Sequence, residues 1–240
     1  IFSAFSSSAV TVDGLPCCGQ ARMRCGPAAQ FSQVRNCGIR GRPEKGHPSN
    51  LMLYIIATPI GNLKDITFRA IETLKSVNLI ACEDTRHTKI LLTHYGITTP
   101  TTSFFQHNRF TKGEYLIGLL KAGKNIALVS DAGTPGILDP GYNLINLVIK
   151  NNLEMTFIPG AAAFVNALVL SGKPAHEFYF AGFLPNRSGA RKNQLEKLKK
   201  LGCTLVFYES CHRILASLED INLVFGDREI TVARELTKKF

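Results

Sequence analysis

The sequence predicts an α/β protein built from two domains, and three observations carry that reading. From Leu51 onward, short β-branched runs alternate with amphipathic segments. Those segments stop at glycine, the residue that most readily ends a helix. A breaker stretch, Ser171-Gly172-Lys173-Pro174-Ala175-His176-Glu177, then precedes the aromatic run Phe178-Tyr179-Phe180, which suits a strand opening a second sheet. The expected units are 51–172 and 173–240, each a mixed sheet with flanking helices.

In chain order, the strands are expected at 53–57, 77–82, 125–129, 155–158, 204–208 and 229–233, where apolar and β-branched residues cluster. Helices fall between them. Residues 67–75 place Phe68, Ile71 and Leu74 on one face; 112–122 end before Gly123; 140–150 begin at a proline. Three further helices, 161–171, 192–201 and 211–224, stop before Gly172, Gly202 and Gly226.

The first fifty residues differ in kind. They lack apolar periodicity, are rich in Ser, Gly, Arg and Cys, and close on Gly41-Arg42-Pro43-Glu44-Lys45-Gly46-His47-Pro48. The expectation is an unpacked basic leader, either an organelle transit peptide or a non-native extension. Cys17, Cys18, Cys25 and Cys37 lie in it without paired C-x-x-C spacing, so they read as incidental thiols and no metal site is expected. Cys82, Cys203 and Cys211 are isolated, as in reduced cytosolic chains.

Composition narrows the function. No stretch approaches the roughly 18 consecutive apolar residues that a spanning helix needs, so no membrane association is expected. The net charge of +10 favours a polyanionic partner such as nucleic acid.

Four expected strands end in polar groups that their apolar bodies do not require. These endings are Glu83-Asp84-Thr85-Arg86, Ser130-Asp131, Glu209-Ser210 and Arg234-Glu235. Ligands of open α/β sheets gather at the carboxyl ends of strands, so the four can converge on one cleft. Taken singly, a carboxylate in such a place is an N-cap or a turn residue. Glycine-bearing turns stand nearby: Thr58-Pro59-Ile60-Gly61-Asn62, Ala132-Gly133-Thr134-Pro135-Gly136 and Ile158-Pro159-Gly160 before Ala161-Ala162-Ala163. Small residues let backbone amides and carbonyls approach a nucleoside. Neither the G-x-G-x-x-G nor the G-x-x-x-x-G-K-[ST] pattern occurs, which argues against dinucleotides and P-loop nucleotides.

Together with Asp139-Pro140-Gly141-Tyr142, Gly182-Phe183-Leu184-Pro185, Phe207-Tyr208-Glu209-Ser210 and Ala233-Arg234-Glu235-Leu236-Thr237-Lys238, these motifs resemble the rRNA-methylating branch of the tetrapyrrole methylase superfamily. The resemblance spans about residues 51–240 in order and spacing. It implies a two-domain tetrapyrrole-methylase-like fold with S-adenosylmethionine (SAM) in the cleft between domains. It also implies methyl transfer to the ribose 2′-oxygen of a cytidine in the decoding region of 16S rRNA, hence a cytoplasmic enzyme acting on the small ribosomal subunit, with a homodimer as a possible assembly.

By the same resemblance, the cofactor side comprises Pro59, Ile60, Gly61, Asp131, Gly133, Thr134, Pro135, Ile137, Gly160, Ala162 and Ala163, with Tyr208 near the adenosine. Glu83, Asp84, Arg86 and Glu235 fall to the reacting hydroxyl, with base and orienter unranked. Arg234 and Lys238 fall to RNA. Independently of the resemblance, a basic loop presenting Arg187, Arg191 and Lys192 reads as an RNA-backbone contact, because Arg forks phosphate oxygens. For Lys197, Lys199 and Lys200 a solvated helix face is the better reading, and Phe104, Phe105 and Phe110 read as core. Two departures stand out. Pro159-Gly160-Ala161-Ala162 replaces the family's Pro-Gly-Pro and small polar residue, removing one hydroxyl contact, and the chain stops at Phe240, where an unfinished second sheet is expected to expose an edge. Two competing readings are a same-fold methylase of a small tetrapyrrole and a non-catalytic RNA-binding module.

Overall fold

The computed structural model of the chain describes residues 7–12, 52–105 and 109–238. Two sheets organise them. The larger contains β2 (Met52–Ile56), β3 (Leu79–Cys82), β4 (Thr101–Ser103), β5 (Ile126–Leu128) and β6 (Glu154–Ile158), in the order β4-β3-β5-β2-β6. All its pairings are parallel, so the expected mixed character belongs to the smaller sheet alone. A parallel sheet is covered on both faces, and its central strands are therefore apolar throughout rather than alternating.

Two cores follow from the two-residue period of these strands. Leu53, Ile55, Ala81, Ile126 and Leu128 meet Leu116 and Leu120 of α3 (Arg109–Lys121) and Leu144 and Val148 of α4 (Gly141–Lys150). Their neighbours Ile56, Ile80, Ala127 and Val129 meet Ala70 and Leu74 of α1 (Phe68–Ser76) and Leu92 of α2 (Thr85–His94). Thr67 and Asp84 cap α1 and α2 by accepting from Ala70 N at 3.2 Å and Arg86 N at 2.8 Å. Both helix starts thus sit at the carboxyl edge of the sheet.

The smaller sheet has the order β7-β8-β1-β9, from β7 (Phe178–Phe183), β8 (Thr204–Ser210), β1 (Ser7–Val12) and β9 (Ile230–Ala233). β7 and β8 are parallel, and β1 runs antiparallel to both β8 and β9. Helices α6 (Ser188–Leu198) and α7 (Ile214–Phe225) close its core around Leu195, Leu205, Phe207 and Ile221. Helix α5 (Ala163–Leu170) packs on β8.

The leader expectation is corrected at one place. Ser7–Val12 is a strand, because this hexapeptide carries β-branched residues in an otherwise Ser-, Gly- and Arg-rich tract and satisfies the facing backbone groups of β8 and β9. The rest of the expected leader, its four cysteines included, lies outside the described residues. Among the described residues, no helix is long and apolar enough to cross a membrane.

Candidate active site

Three turns meet at the carboxyl edge of the larger sheet. The turn after β2 and the turn after β5 are joined by a two-way bridge: Thr58 N donates to Gly133 O at 2.9 Å and Gly133 N donates to Thr58 O at 3.1 Å. Thr58 Oγ1 donates to Ser130 O at 3.1 Å, and Thr134 Oγ1 donates to Ala161 O at 3.2 Å, tying in the turn after β6. Gly133 has φ +83°, and a Cβ there would stand 3.3 Å from Ile60 Cγ2 and 3.5 Å from Ala161 O. At Gly160 a Cβ would fall 3.0 Å from Ala57 Cβ. Side chains at both positions would close the space that lets three backbones converge. These contacts draw the turns that carry Pro59, Ile60, Gly61, Gly133, Thr134, Pro135, Gly160, Ala162 and Ala163 into one cradle.

Carboxylates stand along one lip. Asp131 Oδ1 accepts from Asp84 N at 3.0 Å, which locks the ends of β3 and β5 together. Asp139 accepts from Gly136 N at 2.8 Å and Gly141 N at 2.7 Å, closing the loop that bears Ile137. Burial pushes the Asp139 carboxyl up.

Glu83 and Asp84 are adjacent in sequence but opposite in character. Asp84 Oδ1 caps α2, and its two oxygens accept from Arg86 Nε at 3.2 Å and Nη2 at 2.8 Å. Those bonds hold its carboxyl down at about 2. Glu83 is half-buried; desolvation, then the charges of Asp131, Asp139 and Asp84, push its carboxyl up. A carboxylate raised toward neutral pH is the better proton acceptor. Of this pair Glu83 is thus the carboxyl shifted toward holding a proton, and Asp84 with Arg86 forms a cap and ion pair that shapes the turn.

The opposite wall comes from the smaller sheet. Tyr208 Oη accepts from Phe164 N at 3.2 Å in the first turn of α5. Around it, Phe164 stacks on Phe180 with ring centroids 4.5 Å apart, while Phe180 and Phe183 lie 5.0 and 5.7 Å from the Tyr208 ring. Gly182, at a register shift in β7, has φ +65° and lies against Leu138, itself at φ +63°. Gly61 lies against Thr237 and Lys238 beyond β9. The loop after β5 thus lies against β7, and the segment after β9 against the turn after β2.

Glu235 adopts φ +55° and pairs with Lys238. Lys238, which lies beside Gly61, thus compensates the Glu235 charge. Arg187 and Arg234 are exposed, and Lys192 is half-exposed, 3.8 Å from Asp220.

Arg191 departs from expectation. It is 3% exposed, donates through Nε to Asp220 Oδ2 at 2.7 Å, and sends its remaining donors to the carbonyls of Pro185, Asn186 and Ala216. It cannot reach an RNA phosphate, because every edge of its guanidinium is engaged inside the protein. Burial opposes ionisation of Asp220, yet Ser188, Arg191 and Lys192 outweigh it and hold that carboxyl below its ordinary range. Of the three phenylalanines read as core, Phe104 is buried while Phe110 is 74% exposed.

Sequence reasoning missed Asp139, Leu138 and Phe164 as parts of the site. Asp139 had a signal in the glycines on either side of it, which need a turn-closing acceptor. Leu138 and Phe164 had none, since their roles come from residues far along the chain. Glu209, which ended a promising strand, is fully buried and held by Arg213 at 2.6 Å and Ser217 at 2.5 Å, away from any substrate.

This sheet, its three joined turns and the second sheet belong to a chain whose sequence matches a known family. The model of the Tetrapyrrole (Corrin/Porphyrin) Methylases covers residues 52–240, and the chain belongs to that family. Among its relatives are proteins named ribosomal RNA small subunit methyltransferase I. That of Halalkalibacterium halodurans is 51% identical over 78% of this chain and 65% of its own length; that of Haemophilus influenzae is 52% identical over 78% and 66%. That of Bacillus subtilis is 47% identical over 86% and 69%. The chain thus spans just under two thirds of the first two relatives. In fold it resembles diphthine synthase (TM-score 0.58, 13% identity, 77% of this chain and 82% of that one) and uroporphyrin III C-methyltransferase of Thermus thermophilus (0.53, 14%, 77% and 88%).

Proposed function

We propose that this chain is the methyl-transferring part of an rRNA methyltransferase that uses SAM and modifies the ribose 2′-hydroxyl of a cytidine in the decoding region of 16S rRNA. The observation that carries this reading is the joining of three small-residue turns at Thr58, Gly133 and Ala161 by main-chain and threonine hydrogen bonds. The names of relatives about half identical to the chain, and its net charge of +10, support RNA as the acceptor.

The residues fit the cofactor. Gly133 and Gly160 leave room where backbone must approach, and the half-buried Tyr208 ring and Ile60 supply apolar surface for a nucleoside. The cofactor supplies an activated methyl on a sulfonium sulfur. The protein's part is alignment of the ribose with that methyl and acceptance of the hydroxyl proton. Glu83 Oε accepts the proton as negative charge develops on the 2′-oxygen. Arg86, 89% exposed, and Arg234 face phosphates, and the Asp84 cap fixes the turn that aims both Glu83 and Arg86.

The substrate in this reading is the small ribosomal subunit, which places the enzyme in the cytoplasm. Exposed Phe157, Val165, Val169 and Leu170 on β6 and α5 support a homodimer. Calorimetry with SAM, followed by labelled methyl transfer to small subunits beside a porphyrinogen control, tests the proposal. Transfer to subunits alone is expected; transfer to porphyrinogen alone overturns it.

A further inference from the structure

The loop between β7 and α6 begins in the cleft and ends in a buried ionic node. The strand residues that lead into it, Gly182 and Phe183, lie against Leu138 and Tyr208. Arg187 then stands exposed at the start of α6, extended at φ −82° and ψ 128°, with no side-chain cap and no acidic group at ion-pair distance among the described residues. Nothing within the loop itself fixes that place. The loop's backbone is held instead by Arg191, whose Nη1 donates to Pro185 O and Asn186 O at 3.2 Å each. Arg191 is in turn fixed on α7 by Asp220 at 2.6–2.7 Å and Ala216 O, and Ser188 Oγ donates to Asp220 Oδ1 at 2.9 Å. A planar five-donor fork can clamp two adjacent carbonyls and a carboxylate at once, whereas an ammonium cannot.

We infer that Arg191, braced by Asp220, is a positioning residue that sets the Pro185–Arg187 backbone so that Arg187 meets an RNA phosphate at the mouth of the cleft. The inference rests on the RNA reading above and extends it. Arg191 never touches the substrate; it acts through Arg187.

A double-mutant cycle tests this, with affinity for small ribosomal subunits read across a salt series. Arg187→Ala removes one phosphate contact, so affinity falls and the salt slope flattens by about one unit. Arg191→Lys weakens subunit binding about tenfold in the unaltered chain and less than about twofold in the Arg187→Ala background, because coupled residues are non-additive. SAM affinity stays unchanged in all three variants. Trypsin cleavage after Arg187, scored without RNA, rises in Arg191→Lys while the thermal midpoint of SAM-bound protein holds. Asp220→Asn is expected to show the same binding and cleavage pattern at a lowered thermal midpoint, and serves where Arg191→Lys fails to fold. Equal losses in both backgrounds, an inert Arg187→Ala, or an unaltered cleavage rate overturns the inference alone. No affinity of the unaltered chain for subunits overturns the RNA reading and this inference together.

Discussion

The hydroxyl of Tyr208 on β8 accepts the backbone N–H of Phe164 on α5, 44 residues away in sequence, at 3.2 Å. That N–H belongs to the first turn of a helix, where backbone donors have no intrahelical partner and need one from outside. One phenol oxygen thus ties the smaller sheet to the helix that follows the cofactor-side turn at Pro159 to Ala162. Tyr208→Phe keeps the aromatic packing and removes that acceptor. We expect a loss of about 1 kcal/mol in stability and several-fold weaker SAM binding, measured by thermal melting and calorimetry.

Gly133 tests the cradle. Its φ of +83° and the 3.3 Å approach of Ile60 make any side chain both strained and intrusive. Gly133→Ala is expected to lower stability by about 1–2 kcal/mol and SAM affinity by tenfold or more. Unchanged affinity in the folded variant removes this turn from the site.

Glu83 and Asp84 are separated by exchange of each for its amide. Glu83→Gln lowers single-turnover methylation by about 10²-fold or more at constant SAM affinity. Asp84→Asn keeps a capping oxygen and loses only the charge that pairs with Arg86, with a smaller fall in rate. Reversal of this order returns the proton to Asp84.

The acid limb of the pH–rate profile carries the same assignment. Because burial and neighbouring carboxylates raise Glu83, its active carboxylate form appears only above the ordinary glutamate range, and the rate climbs with pH through that raised value. For stability the signs differ. The raised Glu83 favours the fold at low pH and loses that contribution as pH rises through its folded value, whereas Asp84, lowered from 3.8 to about 2, stabilises above 3.8 and loses its contribution as pH falls toward 2. Chemical denaturation between pH 2 and 8 separates the two, with Asp84→Asn flattening only the lower limb.

The buried node under the Arg187 loop makes a stability prediction. Asp220→Ala leaves the Arg191 guanidinium buried without its counter-charge, and a loss of about 3–5 kcal/mol is expected by urea unfolding.

What the sequence made legible, and what it hid, follows from the range of each interaction. β2, β3, β5, β6 and β8 announce themselves as apolar runs, and α4 through its proline start, because these signals are local. Helix α2 escaped as an element, since Thr85-Arg86-His87-Thr88 are weak helix formers and its stability comes from the Asp84 cap and from Leu92 in the core. The strand at Ser7–Val12 was submerged in a tract whose composition reads as unpacked; its partners lie about two hundred residues downstream. At the site, the meeting of the endings after β3 and β5 was readable while that of Glu209 fails, and the contrast between Glu83 and Asp84 depends on Asp131 and Asp139, brought close only by folding. Arg191 reads as one of a run of surface cations until Asp220, 29 residues later, draws it inside.

The central claim is that this cleft delivers a methyl to an RNA ribose. The most direct measurement maps 2′-O-methylation at nucleotide resolution in small ribosomal subunits incubated with the chain and SAM, beside the Glu83→Gln variant. A new mark at a cytidine ribose of the decoding region, present with the unaltered chain and sharply reduced with Glu83→Gln, is the predicted result. SAM binding without any methyl on 16S rRNA, or methyl on a base rather than a ribose oxygen, would contradict it.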